Sequence, residues 1–192
     1  SVPLMVGFNA DEGTTLGVGA AVPKTAQAYE NFVSKRFGNL ADEFLSIYPA
    51  SDLYRSTMDA FRDDFGTWAM QSWAMKMENT RQPAYLYYFT FKPSGEKLGA
   101  YHAAEIAYAF NNIELLRDNA PDNHKQLAEA MSDYWVAFAK TGQPNARGLP
   151  KWLPFSKADR QYIQLDEKIQ PKKDLLPGIW EFHDKVRLEQ AR

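Results

Sequence analysis

The sequence predicts an α/β protein in which a mostly parallel sheet is flanked by helices. The main observation is the run 84–91, which is almost continuously apolar and aromatic, as is typical of a strand covered on both faces. A shorter strand-compatible segment opens the chain, and helical apolar patterns follow both strands. The 192 residues, 45% of them hydrophobic and 24% charged, are sufficient for one folded domain.

Turn and helix signals place the other elements in order along the chain. We expect strands near 2–8, at 84–91 and at 161–165, and helices over 24–37, 41–48, 59–79, 103–110, 121–140 and 176–189. The helix 59–79 is predicted to bury Phe61, Phe65, Trp68, Ala69 and Met75. Three strands are few for this many helices, since sheets usually have about 4 to 6. We therefore expect residues 1–192 to belong to one domain whose N-terminal strands precede Ser1.

Charge and composition exclude several classes of function. Twenty-two Lys and Arg residues against 24 Asp and Glu give a net charge of −2 without long like-charge blocks, which argues against a nucleic-acid partner. The longest apolar stretch, 85–91, is far shorter than the ~20 residues of a membrane-spanning helix. The absence of cysteine excludes disulfides and a cysteine nucleophile.

The sequence contains no recognisable site for a metal or a nucleotide cofactor. Its three histidines are far apart and lack the HExxH spacing of a zinc site. Gly17 and Gly19 lack the spacing and the preceding strand of a phosphate-binding loop, and they fall instead in a connection that extends to Pro23. We therefore expect neither a metal nor a cofactor.

The three histidines differ in their predicted positions. His124 lies in the first turn of a helix beside charged residues, so we expect it to be solvated. His183 follows Trp180 on the terminal helix, where packing against that indole is the simplest interpretation. His102 follows a glycine-containing loop at the carboxyl end of the buried strand, where the sites of α/β sheets lie. His102 is therefore the candidate for chemistry.

Two acidic residues occupy the corresponding turn after the first strand. Asp11 and Glu12 precede Gly13, and because adjacent turn side chains point apart, only one carboxylate is expected to face a cleft. A carboxylate and an imidazole after neighbouring parallel strands would meet at the same edge of the sheet. Such a pair fixes the imidazole tautomer, as in a Ser-His-acid triad. The alternative, a turn acid and a loop histidine that never meet, remains open from position alone.

A serine nucleophile is missing from this pattern. No serine lies in a GxSxG motif, and several lie in stretches of helical pattern: Ser34, Ser46, Ser56, Ser72 and Ser132. The chain therefore contains no nucleophile elbow of the α/β-hydrolase type.

Three blocks of sequence resemble the C-terminal portion of the type B carboxylesterases, the cholinesterase-like α/β-hydrolases. They are VPLMVGFNADEGT at 2–14, GAYHAAEI at 99–106 and YWVAFAKTGQPN at 134–145, the last followed by WLPF at 152–155. The resemblance implies that Glu12 is the triad acid and His102 the triad base, with Asp11 a non-catalytic neighbour. The chain order of acid before histidine agrees with α/β-hydrolases. Glu105 resembles a family residue near the site, although an ordinary acid in a helical first turn explains it equally well.

The resemblance also concerns substrate and partners. Choline-selecting members place aromatic residues where this chain has Thr15, Leu16 and Ala104, so the cation–π partners of a quaternary ammonium are absent. We expect a small carboxylic ester as substrate, bound near these three residues. The lack of cysteine favours a microbial relative, and the family favours a secreted or periplasmic location while leaving a cytoplasmic one open.

The resemblance implies ester hydrolysis through an acyl-enzyme, without a cofactor. The serine and the oxyanion hole would come from an N-terminal remainder of the same enzyme, so this chain alone is expected to be inactive. Two other functions remain open: a non-catalytic cholinesterase-like adhesion or binding domain, and a self-sufficient α/β domain that binds a small molecule.

Overall fold

The strands of the computed structural model form one mixed sheet. The structure describes residues 1–17, 22–115 and 120–191. The sheet contains β1 (Leu4–Asn9), β2 (Ala84–Phe89), β3 (Gln161–Leu165) and β4 (Gln170–Lys173) in the order β1-β2-β3-β4. The first three strands are parallel, and β4 runs antiparallel to β3. The predicted α/β class and its three strands are confirmed, and β4 is an addition.

Helices cover both faces of this sheet. In the described part of the chain they are α1 (Gly13–Leu16), α2 (Ala26–Phe37), α3 (Ala41–Ile47), α4 (Leu53–Arg62), α5 (Ala69–Met77), α6 (Ile106–Ala109), α7 (Asp122–Thr141) and α8 (Ile179–Gln190). Helix α7 ends at Gly142, whose φ of 74° is a left-handed conformation that glycine adopts without strain. The predicted glycine-containing connection 17–23 lies partly outside the described residues. No described helix is long and apolar enough to cross a membrane.

Strand β2 is buried on both faces, as its apolar sequence predicts. On one face, Tyr85 and Phe89 pack in a cluster with Met131 of α7. On the other face, Leu86 packs with Ala74 of α5. Because β2 is covered by helices on both sides, its carboxyl end is held in a fixed place relative to β1.

The predicted long helix over 59–79 is interrupted, and its buried face differs from the prediction. A π-helical segment, Asp63–Trp68, joins α4 to α5. Phe61 is 37% exposed and Phe65 41% exposed, so their predicted burial is wrong. A π-helical turn carries an extra residue, which shifts the side chains from Asp63 onward, including Phe65, relative to a continuous α-helical stripe.

Polar side chains occupy the buried face of this segment. The Arg62 guanidinium contacts both carboxylate oxygens of Asp63, with Nε to Oδ1 at 2.8 Å and Nη2 to Oδ2 at 2.9 Å. The hydroxyls of Tyr48 and Thr67 donate to the same carboxylate. A buried charge that is paired and hydrogen-bonded in this way is tolerated in a core. Phe65 of this segment consequently lies at the surface.

The two edges of the sheet have different chemistry. Strand β4, at one edge, has the sequence QPKK, and charged residues and proline are typical of edges that avoid further pairing. Strand β1, at the other edge, has the sequence LMVGFN, without charge or proline. The N–H groups of Leu4 and Ala10 donate to the β2 side, so by alternation those of Met5 and Gly7 face away from it. The β1 edge therefore has the chemistry of a strand that pairs with another strand.

Candidate active site

Glu12 and His102 lie at the carboxyl ends of the neighbouring parallel strands β1 and β2. The parallel register continues past both strands in an isolated bridge between Asp11 and Tyr101. This bridge brings the turn after β1 against the loop after β2. Two side chains separated by 90 positions in the sequence consequently come into contact.

The carboxylate of Glu12 is hydrogen-bonded to the imidazole of His102. The distance from Oε2 to Nδ1 is 2.7 Å, and the main-chain N–H of Asn9 donates to Oε1 at 2.8 Å. The side chain of Glu12 is 6% exposed and that of His102 45% exposed. The structure gives Nε2 of His102 no hydrogen-bond partner within residues 1–17, 22–115 and 120–191. An imidazole that donates from Nδ1 to a carboxylate has Nε2 free to accept a proton.

Burial is the largest influence on Glu12 and raises the pKa of its carboxyl group. The Asn9 N–H and the His102 imidazole lower this pKa, and the charge of Glu105 raises it again. The net pKa is above the ordinary value for glutamate. The ionised form of Glu12 therefore depends on the two hydrogen bonds that its oxygens accept.

Asp11 points away from His102 and is buried among positive charges. Its Oδ1 lies 2.7 Å from Nη1 of Arg55, and its Oδ2 lies 2.8 Å from Nζ of Lys92. The N–H of Ala100 donates to Oδ2 at 2.9 Å. The Asp11 carboxylate thus joins α4, the end of β2 and the loop that leads to His102.

We expect Asp11→Asn to destabilise the complete protein by about 1–3 kcal/mol at neutral pH. Burial raises the pKa of Asp11, but Lys92 and Arg55 with the Ala100 N–H outweigh it, and the net pKa is lowered. A lowered pKa in the folded state stabilises the protein above the unfolded-state pKa, and this contribution is lost as pH falls through the folded-state pKa. Denaturant unfolding from pH 7 to pH 3 measures the difference between variant and wild type.

The difference between Asp11→Asn and wild type should shrink as the pH falls below about 4. The matched control is Asp159→Asn, which removes the exposed ion pair with Lys173 and should leave stability unchanged. A destabilisation by Asp11→Asn that is the same at pH 7 and pH 3 would contradict the charge-based account.

The loop before His102 approaches the turn so closely that one position requires glycine. Gly99 has a φ of 69°, and a Cβ placed there would lie 2.3 Å from Oδ2 of Asp11. Ala103, directly after His102, has a φ of 71°, which is unfavourable for a residue with a side chain. Strained backbone of this kind persists where surrounding contacts hold it and is frequent at functional sites.

Asn9 connects the turn after β1 to the loop after β2, and sequence analysis missed it. Its Nδ2 donates to the carbonyl oxygen of Tyr101 at 2.8 Å and to Oε2 of Glu105 at 2.5 Å. Glu105, predicted near the site, is therefore linked to Glu12 through Asn9. In the sequence, Asn9 is a lone amide residue at the end of an apolar strand, a position at which asparagine is common in turns.

Phe65 is a second residue near the site that the sequence did not indicate. Its ring lies edge-on to the His102 imidazole, with 6.5 Å between ring centroids. The π-helical segment places Phe65 there, because Gly66 packs so tightly on Phe8 that a Cβ would lie 2.7 Å from the ring. Phe65 also lines a cavity of about 1070 Å³ between α2, α4 and α8, whose lining includes neither Glu12 nor His102.

The predicted substrate-binding residues lie beside the pair in sequence and differ in exposure. Thr15 and Leu16 are in α1, which begins directly after Glu12; Leu16 is 39% exposed. The Thr15 hydroxyl is buried and has no hydrogen-bond partner among the described residues. Ala104 is 8% exposed and belongs to the apolar cluster beneath the loop. Contact of these residues with substrate remains a prediction.

The other two histidines are buried, which corrects the expectation for His124. Its Nδ1 lies 3.0 Å from the Tyr108 hydroxyl, and its ring packs on Phe91. His183 lies 3.0 Å from the Tyr48 hydroxyl and packs on that ring rather than on Trp180. Among the side chains that the structure describes, no group of three or more His, Asp or Glu residues is arranged to hold a metal ion.

Comparisons with known proteins identify the same family as the sequence blocks. The family model described as "Carboxylesterase family" matches residues 1–179. The chain is 29% identical to a fumonisin B1 esterase of Sphingopyxis macrogoltabida over 81% of its length, which is 31% of that relative. It is 24% identical to the para-nitrobenzyl esterase of Bacillus subtilis (strain 168) over 90% of its length and 36% of that relative. The chain thus spans about a third of the length of these curated relatives.

Solved structures show the same fold. A PNB esterase structure superposes with a TM-score of 0.75 and 23% identity, covering 94% of this chain and 38% of that one. A thermophilic PNB esterase gives a TM-score of 0.75 with 22% identity over the same shares. The predicted α/β-hydrolase fold and the family resemblance are confirmed. The chain belongs to the carboxylesterase family.

Proposed function

We propose that the complete protein hydrolyses carboxylic esters through a Ser-His-Glu triad in which this chain supplies Glu12 and His102. The observation that carries the proposal is the 2.7 Å hydrogen bond between Oε2 of Glu12 and Nδ1 of His102 at adjacent strand ends. The carboxylate holds the imidazole in the tautomer whose Nε2 accepts a proton. Membership of a family with esterase relatives supports the same reaction.

In the proposed reaction, His102 accepts a proton and then donates it, once during acylation of the serine and once during deacylation. Its Nε2 accepts the proton of a serine hydroxyl while the serine oxygen attacks the ester carbonyl carbon. The resulting imidazolium donates this proton to the leaving alcohol, and an acyl-enzyme forms. Water then loses a proton to Nε2 while its oxygen attacks the acyl carbonyl carbon; the bond to serine breaks, the imidazolium returns the proton to the serine oxygen, and the acid leaves. Glu12 stabilises the imidazolium in both steps.

The serine and the oxyanion hole are assigned in this proposal to an N-terminal portion of the same protein. The 192 residues contain no GxSxG motif. The uncharged edge of β1 has the chemistry of a strand that pairs further. Because Glu12 follows the carboxyl end of β1, a strand that pairs with β1 in parallel would bring its own carboxyl end to the edge of the sheet where Glu12 and His102 lie.

A small carboxylic ester is the proposed substrate, with Thr15, Leu16 and Ala104 near its bound position. None of these side chains is aromatic, so they offer no cation–π contact to a choline group. A general carboxylesterase therefore fits better than a cholinesterase. A non-catalytic binding domain is the alternative function, and it gives no reason for a buried carboxylate to hold the tautomer of a half-exposed histidine.

Labelling of the complete protein with a serine-directed fluorophosphonate tests this function. We expect one covalently modified serine, located by peptide mass spectrometry outside residues 1–192, and loss of hydrolysis of p-nitrophenyl esters in proportion to labelling. Active complete protein that is labelled within residues 1–192 would contradict the assignment of the nucleophile. Complete protein that is neither labelled nor active would favour the binding-domain alternative.

A further inference from the structure

We propose that Asn9 is a positioning residue that fixes Glu12 and His102 relative to each other: its main-chain N–H holds Glu12, and its buried side-chain amide holds the loop around His102. The effect on turnover rests on the proposed function, whereas the effect on geometry does not. Asn9 is fully buried at the end of β1, three residues before the acid.

The donors of Asn9 reach both partners of the pair. Its main-chain N–H donates to Oε1 of Glu12, which leaves Oε2 directed at His102. One hydrogen of its amide nitrogen donates to the carbonyl of Tyr101, the residue before His102. The other donates to the carboxylate of Glu105, three residues after His102. Asn9 therefore holds Glu12 through one hydrogen bond. It holds residues 99–105 around His102, the histidine loop, through two more.

The orientation of the Asn9 amide follows from these contacts. Both neighbours of Nδ2 are oxygen acceptors, so a flipped amide would place Oδ1 against two oxygens. In the observed orientation, Oδ1 is buried and has no hydrogen-bond partner among the described residues. A buried acceptor without a partner is unfavourable and calls for an explanation. The explanation is that the two hydrogen bonds from Nδ2 to the histidine loop hold the amide in the orientation that leaves Oδ1 without a partner.

The histidine loop requires such a restraint because it is strained. Ala103 has a φ of 71°, directly after His102, and an unrestrained loop would relax from this conformation. Asp11 is held by ion pairs with Arg55 and Lys92. Its carboxylate accepts a hydrogen bond from the N–H of Ala100 and so restrains the loop just before Tyr101. Asn9 acts on both sides of His102 itself, so its loss should move the imidazole rather than the whole loop.

The Asn9→Asp variant of the complete protein tests the inference, because it keeps the shape of the side chain and removes both amide donors. Its new carboxylate would face the carboxylate of Glu105 and the carbonyl of Tyr101. We expect kcat for p-nitrophenyl ester hydrolysis to fall about 10²-fold, the loss that a 1 Å displacement of a reacting group produces. We expect KM to stay within about threefold, since ground-state binding is not the function assigned to Asn9.

A spectroscopic measurement reads the geometry without turnover. A histidine Nδ1–H that is hydrogen-bonded to a carboxylate gives a strongly downfield proton signal, which is assigned to His102 by its absence in His102→Ala. We expect this signal to disappear or shift in Asn9→Asp. Wild-type complete protein that shows the signal but hydrolyses no ester would refute the proposed function and leave the positioning inference standing. Active wild type whose signal is unchanged in Asn9→Asp would overturn the inference alone.

The double variant Asn9→Asp with Glu105→Gln provides the rescue. The amide introduced by Glu105→Gln can donate to the carboxylate introduced by Asn9→Asp, which restores one of the two contacts with the donor and acceptor exchanged. We expect kcat of the double variant to be about tenfold higher than that of Asn9→Asp. Such a recovery shows coupling between two residues in contact, because independent effects would simply add. Absence of any recovery would indicate that the contact with Glu105 has no part in positioning and would limit the restraint to Tyr101.

Asn145→Asp is the matched control for a general loss of stability. Asn145 also joins two backbone groups through its amide, both on Trp152, and it lies in a loop that belongs to neither half of the pair. We expect the Asn145→Asp variant to have a lower melting temperature than wild type, with kcat and the His102 signal unchanged. If Asn9→Asp fails to fold cooperatively, Asn9→Ser retains one hydroxyl donor, and kcat for it should be intermediate. Wild-type kcat in folded Asn9→Ser and Asn9→Asp would overturn the proposal.

Discussion

His102→Ala in the complete protein should lower kcat for ester hydrolysis by about 10⁴-fold, the loss that follows removal of the base from a serine triad. Without the imidazole, no group accepts the serine proton during attack or returns it to the leaving alcohol. The side chain is 45% exposed, and its described ring contact is the edge of Phe65, so little apolar packing is lost. The steady-state rate on p-nitrophenyl esters measures the fall in kcat, and the thermal unfolding midpoint shows whether the variant remains folded.

Removal of His102 also leaves the buried Glu12 with one hydrogen-bond donor, the N–H of Asn9. Protonation of Glu12 would relieve this loss, because burial already raises the pKa of its carboxyl group. We therefore expect a modest fall in stability alongside a large fall in rate. His183→Gln is the control, since it disturbs a buried histidine on α8 outside the site and should cost stability with little change in kcat. Retention of more than about a tenth of the wild-type kcat in His102→Ala would refute its assignment as the base.

The part of the fold that the sequence predicts well is the part with strong local patterns. The apolar run at 84–91 became the buried strand β2, and the apolar spacing with terminal proline and glycine bounded α7 to within one residue. The rule that parallel strands present their carboxyl ends at one edge correctly brought Glu12 and His102 together. Their catalytic roles are a proposal that this contact supports.

The failures occur where tertiary contacts outweigh local pattern. Strand β4 has the polar sequence QPKK and forms because β3 offers it an edge, which no alternation in its own residues indicates. Phe65 was predicted to be buried because its spacing is helical. The π-helical segment instead turned Asp63 inward, where Arg62 and Tyr48 satisfy its carboxylate. A buried polar network of this kind is visible only once its partners are in place.

Asn9 shows why the connection between the two loops was missed. Sequence analysis identifies residues that carry chemistry, such as Glu12 and His102, from their type and their place after strands. The Asn9 amide acts instead through two hydrogen bonds, whose partners lie 92 and 96 positions away. Its type is also common in turns, so the sequence alone does not distinguish Asn9 from an ordinary turn residue.

Glu12→Gln should lower kcat by about 10³- to 10⁴-fold, although it changes one atom of the side chain. The two carboxylate oxygens of Glu12 each accept one hydrogen bond, from the N–H of Asn9 and from Nδ1 of His102. Glutamine has one oxygen, and if the Asn9 N–H occupies it, the amide NH₂ faces His102. The imidazole then carries its proton on Nε2 and cannot accept one from serine.

Asp11→Asn separates this tautomer effect from a change of net charge. It removes the same charge one position earlier, but its carboxylate contacts Arg55 and Lys92 and does not touch the imidazole. We therefore expect Asp11→Asn to change kcat by less than about tenfold while it lowers stability, and Glu12→Gln to do the reverse. Glu12→Asp should fall between them, because it keeps both acceptor oxygens and withdraws them by one methylene. Equal losses of kcat in Glu12→Gln and Asp11→Asn would contradict the tautomer account, because Asp11 does not touch the imidazole and reaches its loop only through Ala100.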